Sequence, residues 1–398
     1  MEGLTLALVP LLLIAGTTGD TVRFGVILED QNPSEPYSYG HVGPAVELAV
    51  QRINREGWLG PHRLMAQYQK ITKMSQYTAL TVAMGMYEND SGNLDFFLGP
   101  TSEYLAQTVI RLAAFWKVPV MTCSIVWRLG VKGDPRDDGN YETVVRTVPT
   151  SGDLGKLVLR LYQEYDWTRG FQLYHKGNDD DSCYFLQSGI WSEWHIVNEE
   201  RELEPLTHES IAEFSQDEFN LTDPAGRREM DKRFADELER VKAVSRVIIT
   251  CASAPYVWRL MKVAREMGMT NGDYVFLIVD VFDHAYLQPD TWIGSEDNQQ
   301  ERRDILDAFR AAFVITVPRP DTPAFREFSE QVREIGKQNF GFDSGETLAN
   351  PFVESYFNDV LLYATALNGT PGYNYTNGTE MALKMRNVSF IGKEYGIS

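Results

Sequence analysis

Strand patterns and helix patterns alternate along most of this chain, and that alternation restricts the fold more than any other feature of the sequence. A buried strand is predicted over 22–29, a helix with one apolar stripe over 43–57, and a second strand over 62–71. Strands joined through helices indicate parallel sheets with right-handed crossovers and helices on both faces. The 398 residues, 43% of them hydrophobic, are enough for about two lobes.

The same order continues toward the end of the chain, with one break. The stretch 147–152 contains Pro149 and Gly152, which favour a crossing from one lobe to the other. Two lobes with a cleft between them form a common hinge-closing binding architecture. The other predicted strands cover 94–100, 118–123, 170–176, 246–251, 274–280 and 311–318, and the other predicted helices cover 76–88, 103–116, 152–165, 254–268, 322–338 and 350–367, with one more after Cys183.

The formal net charge of -19 disfavours a nucleic-acid binder, which would carry a basic stripe. An acidic field attracts cationic partners such as basic peptides. The same charge is also typical of a secreted protein that needs only to stay soluble. Charge alone leaves both interpretations open.

The first 19 residues have the pattern of a signal peptide. An apolar run over 4–15 is followed by small residues over 16–19, so the mature chain is expected to start near Asp20. A basic start is missing, which keeps a short membrane anchor as the alternative. No other segment reaches the ~18 consecutive apolar residues expected of a transmembrane helix, so the mature chain as given is expected to be soluble.

Six glycosylation sequons agree with a secreted, extracellular chain. They begin at Asn89, Asn220, Asn368, Asn374, Asn377 and Asn387. In an oxidising compartment the three cysteines predict one disulfide and one spare thiol, and the sequence alone does not choose the pair.

No catalytic or metal-binding pattern stands out. The six histidines show no His-x-x-x-His spacing, and no glycine-rich phosphate loop or nucleophile elbow is present. We therefore expect a binding module with no cofactor rather than an enzyme.

Several short motifs occur in the order found in one receptor family. They are VGPAVELA (42–49), FLGP (97–100), FWKVP (115–119), LGVK (129–132), SCYFL (182–186), RVIITCAS (246–253), GDYVF (272–276) and RNVSFIG (386–392). On these motifs the chain resembles the natriuretic peptide receptor and receptor guanylate cyclase ectodomains, which have the type 1 periplasmic-binding-protein fold. The resemblance covers essentially everything after the predicted signal peptide.

The resemblance implies an α/β fold with two lobes. One, membrane-distal, would contain 20–146 and 281–385, and the other, membrane-proximal, 147–280 and 386–398, with the final strands of the family missing after Ser398. Members of the family are homodimers that bind a basic cyclic peptide hormone and signal through rearrangement of lobes or protomers. They usually continue into a transmembrane helix, and some into a guanylate cyclase domain. The full-length form would then lie at the cell surface.

The resemblance also assigns residues. It pairs Cys183 with Cys251, and two buried free thiols are the alternative. Cys123 lies at the end of an apolar strand and is expected to be the buried spare thiol. The ligand-binding positions that the resemblance carries over are Tyr104, Arg111, Tyr141, Tyr174, Tyr184 and Phe185, and the dimer positions are Tyr87, Phe115 and Trp116. Two purely structural interpretations stay open: Tyr184 and Phe185 covering a helix–sheet seam, and Phe115 and Trp116 lying in the core.

The chain departs from the family in two loops. Ser102 stands where the family has a cysteine, so a second disulfide is absent. Family members bind chloride in that loop, and backbone amides of Thr101 and Ser102 could still form such a site, although the altered loop argues against it. In the other loop Ser188 replaces an acidic residue, and the acids at 179–181 offer a substitute charge.

Two other functions remain as alternatives. An amino-acid receptor of the same fold would use serine or threonine donors in the cleft, and Ser124 is a candidate, although the bulky Val126 and Trp127 follow it. A secreted peptide-binding decoy would follow if the chain ends natively at Ser398.

Overall fold

The computed structural model describes residues 20–89, 94–125, 141–176, 182–201, 204, 206, 211–215, 223–280, 299–317, 320–345, 347–370 and 378–386. The predicted signal peptide and the sequons at Asn220, Asn374, Asn377 and Asn387 lie outside these ranges. So do the acids at 179–181 and most of the terminal segment assigned above to the second lobe.

The first lobe is built on a parallel five-stranded sheet with the strand order β2-β1-β3-β4-β5. Its strands are β1 (Thr21–Glu29), β2 (Arg63–Ile71), β3 (Phe96–Leu98), β4 (Val120–Met121) and β5 (Val144–Val145). Its helices are α1 (Tyr39–Glu56), α2 (Gln76–Asn89), α3 (Glu103–Trp116) and, from the end of the chain, α9 (Pro323–Ile335), α10 (Pro351–Asn368) and α11 (Gly378–Arg386). A π-helical turn, Gly336–Phe340, extends α9.

The second lobe has a parallel five-stranded sheet of its own, with the order β10-β9-β8-β6-β7. Its strands are β6 (Phe171–Lys176), β7 (Ile211–Ser215), β8 (Val247–Cys251), β9 (Val275–Val279) and β10 (Ala312–Ile315). Its helices are α4 (Ser151–Glu164), α5 (Ser182–Arg201), α6 (Pro224–Val244), α7 (Ala254–Glu266) and α8 (Gln299–Ala308). The predicted α/β architecture with two parallel sheets is therefore confirmed.

Both faces of the inner strands are buried, as their apolar runs predict, whereas the edge strands β2 and β10 are partly exposed. In β1, Phe24, Val26 and Leu28 belong to the core beneath α1 and α10, whereas Ile27 belongs to the core beneath α2 and α3. Successive side chains of a strand point to opposite faces, so one continuous apolar run serves two cores. The second lobe repeats this arrangement with two further core clusters.

The chain leaves the first sheet after β5 and returns to the first lobe only after β10. After β5 the chain enters α4, which packs closely against α5 in the second lobe. The chain returns only after β10, because that strand pairs with β9 and α8 packs against α7. The predicted return at 281 is thus wrong, and 299–315 belong to the second lobe. Hydrophobic periodicity identifies a strand but not the sheet that the strand joins.

Candidate functional site

Four aromatic rings form a continuous series from one lobe to the other. The ring centroid of Tyr104, on α3, lies 5.3 Å from that of Phe185, on α5. Phe185 lies 5.3 Å from Tyr184, and Tyr184 lies 6.4 Å from Tyr174 on β6. We call Tyr104, Phe185, Tyr184 and Tyr174 the aromatic run. It brings together four of the six residues that the resemblance assigns to ligand binding.

Two rings of the aromatic run are exposed to solvent, and the ring at its second-lobe end is buried and hydrogen-bonded. Tyr104 and Tyr184 are 41% and 42% exposed, whereas Tyr174 is buried. The Tyr174 hydroxyl donates to Glu213 Oε2 over 3.1 Å, and Lys176 Nζ donates to Glu213 Oε1 over 2.9 Å. The Lys176 ammonium, followed by the Tyr174 hydroxyl, holds the pKa of Glu213 below its usual value despite partial desolvation. A carboxylate therefore sits at the second-lobe end of the run.

Sequence reasoning missed Glu213. It lies on β7, a five-residue strand that was not predicted, next to a stretch of the chain rich in polar residues. Only the parallel pairing of Tyr174 with Glu213 in the sheet places the two side chains together.

Arg111 and Tyr141 form a separate pair on the first lobe. Arg111 Nη2 donates to the Tyr141 hydroxyl over 3.1 Å, and the guanidinium carbon lies 5.8 Å from the ring centroid. Arg111 is exposed and follows Tyr104 by two helical turns, so both project from the same face of α3. One face of this helix thus carries an aromatic ring and a cation.

The three residues assigned to the dimer interface differ in how far their side chains are exposed. Phe115 is 82% exposed and follows Arg111 by four residues, on the same face of α3. Its placement rules out the core interpretation. Trp116 and Tyr87 are half-buried, and their rings stack with centroids 4.2 Å apart and an interplanar angle of 6°. Asn89, the nearby sequon, is exposed at the end of α2.

The start of α3 is fixed by two buried carboxylates. Glu29 Oε1, at the end of β1, accepts the backbone amides of Thr101 and Ser102 over 2.9 and 2.6 Å. Glu103, the first residue of α3, accepts the amide of Ile125 over 2.7 Å. The two amides considered for chloride therefore already have a carboxylate acceptor, and the donor set does not fit an additional anion.

Ser124, the candidate donor for an amino-acid ligand, is also engaged. Its hydroxyl donates to Glu103 Oε2 over 2.5 Å, and the residue is fully buried. A hydroxyl held by a carboxylate in this way does not face the cleft as a donor for the carboxylate of a ligand.

A cavity of about 320 Å³ lies at the hinge between the lobes. Its walls come from both crossings, from α4 and α5, and from the start of α10, and include Thr147, Leu186 and Phe352. Asp153 and Glu354 add two carboxylates, and none of the described residues lining it is basic. Thr147, Thr150 and Ser355 also line the cavity, so it contains hydroxyl groups of the kind expected for an amino-acid ligand. The Thr147 hydroxyl already donates to Asp359, and the Thr150 hydroxyl already donates to Asp153.

The disulfide between Cys183 and Cys251 is present, as the resemblance implied, and Cys123 is a buried free thiol. Cys183 is the second residue of α5, directly before Tyr184 and Phe185, and Cys251 ends β8. The bond thus ties the aromatic part of α5 to the second sheet.

The described ranges contain no cluster of three histidine, cysteine or acidic side chains suited to a metal ion. Within the same ranges, no helix combines the length and the apolar character that a bilayer crossing requires.

Comparison with known proteins shows the family to which the chain belongs. The profile of the receptor family ligand binding region matches residues 41–394, and the chain belongs to this family. Its relatives include human atrial natriuretic peptide receptor 3, 26% identical over 92% of this chain and 64% of the receptor. Human atrial natriuretic peptide receptor 2 is 27% identical over 96% of this chain and 35% of the receptor. The chain thus spans less than two thirds of the length of either relative.

Solved structures show the same fold at low identity. An ABC transporter substrate-binding protein from Desulfitobacterium hafniense superposes with a TM-score of 0.56 at 13% identity, covering 92% of this chain and 89% of that protein. A branched-chain amino acid substrate-binding protein from Streptococcus pneumoniae, in complex with isoleucine, gives 0.54 at 14% identity, covering 92% and 87%. The fold is that of the type 1 periplasmic-binding proteins.

Proposed function

We propose that this chain is the extracellular ligand-binding region of a natriuretic-peptide-like hormone receptor. The observation that carries the proposal is the aromatic run, which joins α3 of one lobe to α5 of the other. Aromatic rings and arginine are the residue types that anchor peptide interfaces, and both occur on the exposed face of α3. The names of the two human relatives support a natriuretic peptide as the ligand class.

The charge of the chain favours a basic peptide. The net charge is -19. Cationic ligands are steered toward such a surface, and the steering weakens as ionic strength rises.

Signalling would follow from the position of the run. Tyr104 and Phe185 belong to different lobes, so a ligand held by both rings favours one orientation of the lobes over others. In the whole protein this change would be passed to a membrane segment. A guanylate cyclase activity would reside in a separate domain of the whole protein, because the matched region is a ligand-binding module.

Competition binding tests the proposal against the amino-acid alternative. Purified chain is titrated with disulfide-closed basic peptides and, separately, with the twenty free amino acids. The proposal predicts saturable peptide binding that amino acids do not displace. Saturable binding of an amino acid, with no peptide binding, would favour the alternative that the likeness to an isoleucine-bound protein suggests.

The secreted-decoy alternative is distinguished by fractionation of the endogenous product. A membrane-bound band far larger than the 45.2 kDa chain after deglycosylation supports the receptor. A deglycosylated band of the size of this chain, found only in the medium, supports the decoy.

We further propose that α2 and α3 form a homodimer interface around Phe115. Phe115→Glu is expected to weaken self-association at least tenfold, since a charge would replace an exposed aromatic ring at the contact. Sedimentation equilibrium measures the dissociation constant, and Phe313→Glu, at an exposed phenylalanine of β10, is the matched control. An unchanged dissociation constant for Phe115→Glu would place the interface elsewhere.

A further inference from the structure

The loop before α3 holds a carboxylate of the chain itself. The amides of Thr101 and Ser102 converge on one oxygen of Glu29, a residue that is only 3% exposed. Thr101 and Ser102 immediately precede a 14-residue helix that begins at Glu103 with Ser102 as its N-cap, and the aligned peptide dipoles of the helix place partial positive charge at this end. Two convergent amides at a helix start form an anion-binding arrangement, and in this chain the anion is Glu29.

We propose that Glu29 is a built-in anion that takes the place of a soluble halide in this loop. A halide and the Glu29 carboxylate would need the same two amide donors, so the wild-type loop holds only one of them. Removal of the carboxylate turns the loop into a site for a monovalent anion such as chloride or bromide.

Ser102 carries a further donor beside its amide. The Ser102 hydroxyl is buried, and within the described part of the chain it has no hydrogen-bond partner. The backbones of the two loops approach each other closely here, since a Cβ on Gly99 would lie 2.3 Å from the carbonyl oxygen of Ile27.

Glu29 acts as a positioning residue for the aromatic run. Its two hydrogen bonds hold Thr101 and Ser102, and the Thr101 hydroxyl is also 2.8 Å from that of Tyr356 on α10. Tyr104 follows two residues later and contacts Phe185 across the lobes. A covalently attached carboxylate keeps this geometry at every halide concentration, whereas a soluble ion would leave when the halide is diluted.

Thermal unfolding of the whole chain in sodium gluconate, chloride and bromide at equal ionic strength tests the proposal. For the wild type we expect melting temperatures in the three salts within about 1 °C of one another. Glu29→Ala is expected to gain a saturable, halide-specific rise of about 2–4 °C. Glu29→Gln keeps an oxygen acceptor for the amides and should show no rise. Asp30→Ala, which removes the neighbouring acid that pairs with Lys70, is the matched control.

Anomalous diffraction from bromide-soaked crystals locates the ion. Bromide beside the amides of Thr101 and Ser102 is expected in Glu29→Ala and not in the wild type. A saturable halide response of the wild type or of Glu29→Gln, or a folded Glu29→Ala without one, would overturn the proposal. Even if Glu29→Ala does not fold, a saturable halide response of the wild type or of Glu29→Gln would still overturn the proposal.

One consequence rests on the proposed function: peptide affinity of the wild type should be equal in gluconate and in chloride. The melting experiment needs no peptide, so failure of the peptide proposal and failure of the built-in anion are distinguishable.

Discussion

Replacement of both Cys183 and Cys251 by alanine is expected to lower the free energy of unfolding of the second lobe by about 4 kcal/mol. The two cysteines are 68 positions apart, and the bond between them restricts the unfolded chain in proportion to the logarithm of that loop. The variant is also expected to bind peptide more weakly, because α5 loses its tie to β8 directly beside Tyr184 and Phe185. Urea unfolding followed by tryptophan fluorescence measures the change in stability.

Cys123→Ala is the matched control for the disulfide variant. Cys123 is buried in the first lobe and has no disulfide, so its replacement removes one sulfur and costs about 1 kcal/mol. A double variant no less stable than Cys123→Ala would show that the disulfide contributes little to the folded lobe.

Asp359→Asn is expected to stabilise the protein by about 2–4 kcal/mol at pH 8 and to have little effect near pH 4. Asp359 is fully buried on α10, and burial raises the pKa of its carboxyl from 3.8 to about 7, although a hydrogen bond from Thr147 opposes the shift. A difference of about three pKa units corresponds to at most about 4 kcal/mol.

The sign of this pH dependence follows from proton uptake. Between pH 4 and pH 7 the folded protein holds a proton on Asp359 that the unfolded chain has lost, so the contribution of this group to stability falls as pH rises. Within the described ranges, the groups facing it supply no counter-charge: Thr147 Oγ1 donates over 2.7 Å and Cys123 Sγ lies 4.0 Å away. Glu29, also near Cys123 and Tyr356, adds a further acid.

Urea unfolding of the wild type and of Asp359→Asn at pH 4.5, 6 and 8 measures the effect. Their free energies of unfolding should diverge as pH rises. Asp236→Asn, at an exposed acid of α6, is the control and should follow the wild type. Parallel curves for the wild type and Asp359→Asn would mean that the buried carboxyl titrates normally.

Secondary structure could be predicted where periodicity and end signals agree. The helix predicted over 103–116 has those bounds in the structure, because its buried positions recur at helical spacing and Lys117 ends it in a left-handed conformation. The capping box formed by Thr150 and Asp153 likewise marks the start of α4.

Other elements were missed although signals for some of them exist. Helix α6 begins with Asp223 as cap and Pro224 in its first turn, and its buried side chains recur at intervals of three and four residues (Met230, Phe234, Leu238, Val241). Because α6 carries many charged residues, its narrow apolar stripe was not recognised as a helix signal. Strand β5 has only two residues and carries no usable period.

The spacing of residues along the sequence does not predict which side chains meet at the site. Tyr104 and Phe185 lie on helices of different lobes, and Glu29 reaches amides 72 and 73 residues away. Such contacts depend on which strands are neighbours in a sheet, and short-range patterns do not encode that order. The ligand positions came from family resemblance alone, which is also why Glu213 and the role of Glu29 were not anticipated.

The most direct test of the proposed function is isothermal titration of the purified chain with a disulfide-closed basic peptide, for the wild type and for Phe185→Ala. Phe185 is the ring of the aromatic run that contacts both Tyr104 and Tyr184. Phe313→Ala, at an exposed phenylalanine in the same lobe, is the control. We predict saturable binding to the wild type and the control, and at least about tenfold weaker binding to Phe185→Ala. Equal affinity of all three proteins, or binding of free amino acids alone, would contradict a peptide receptor that uses this site.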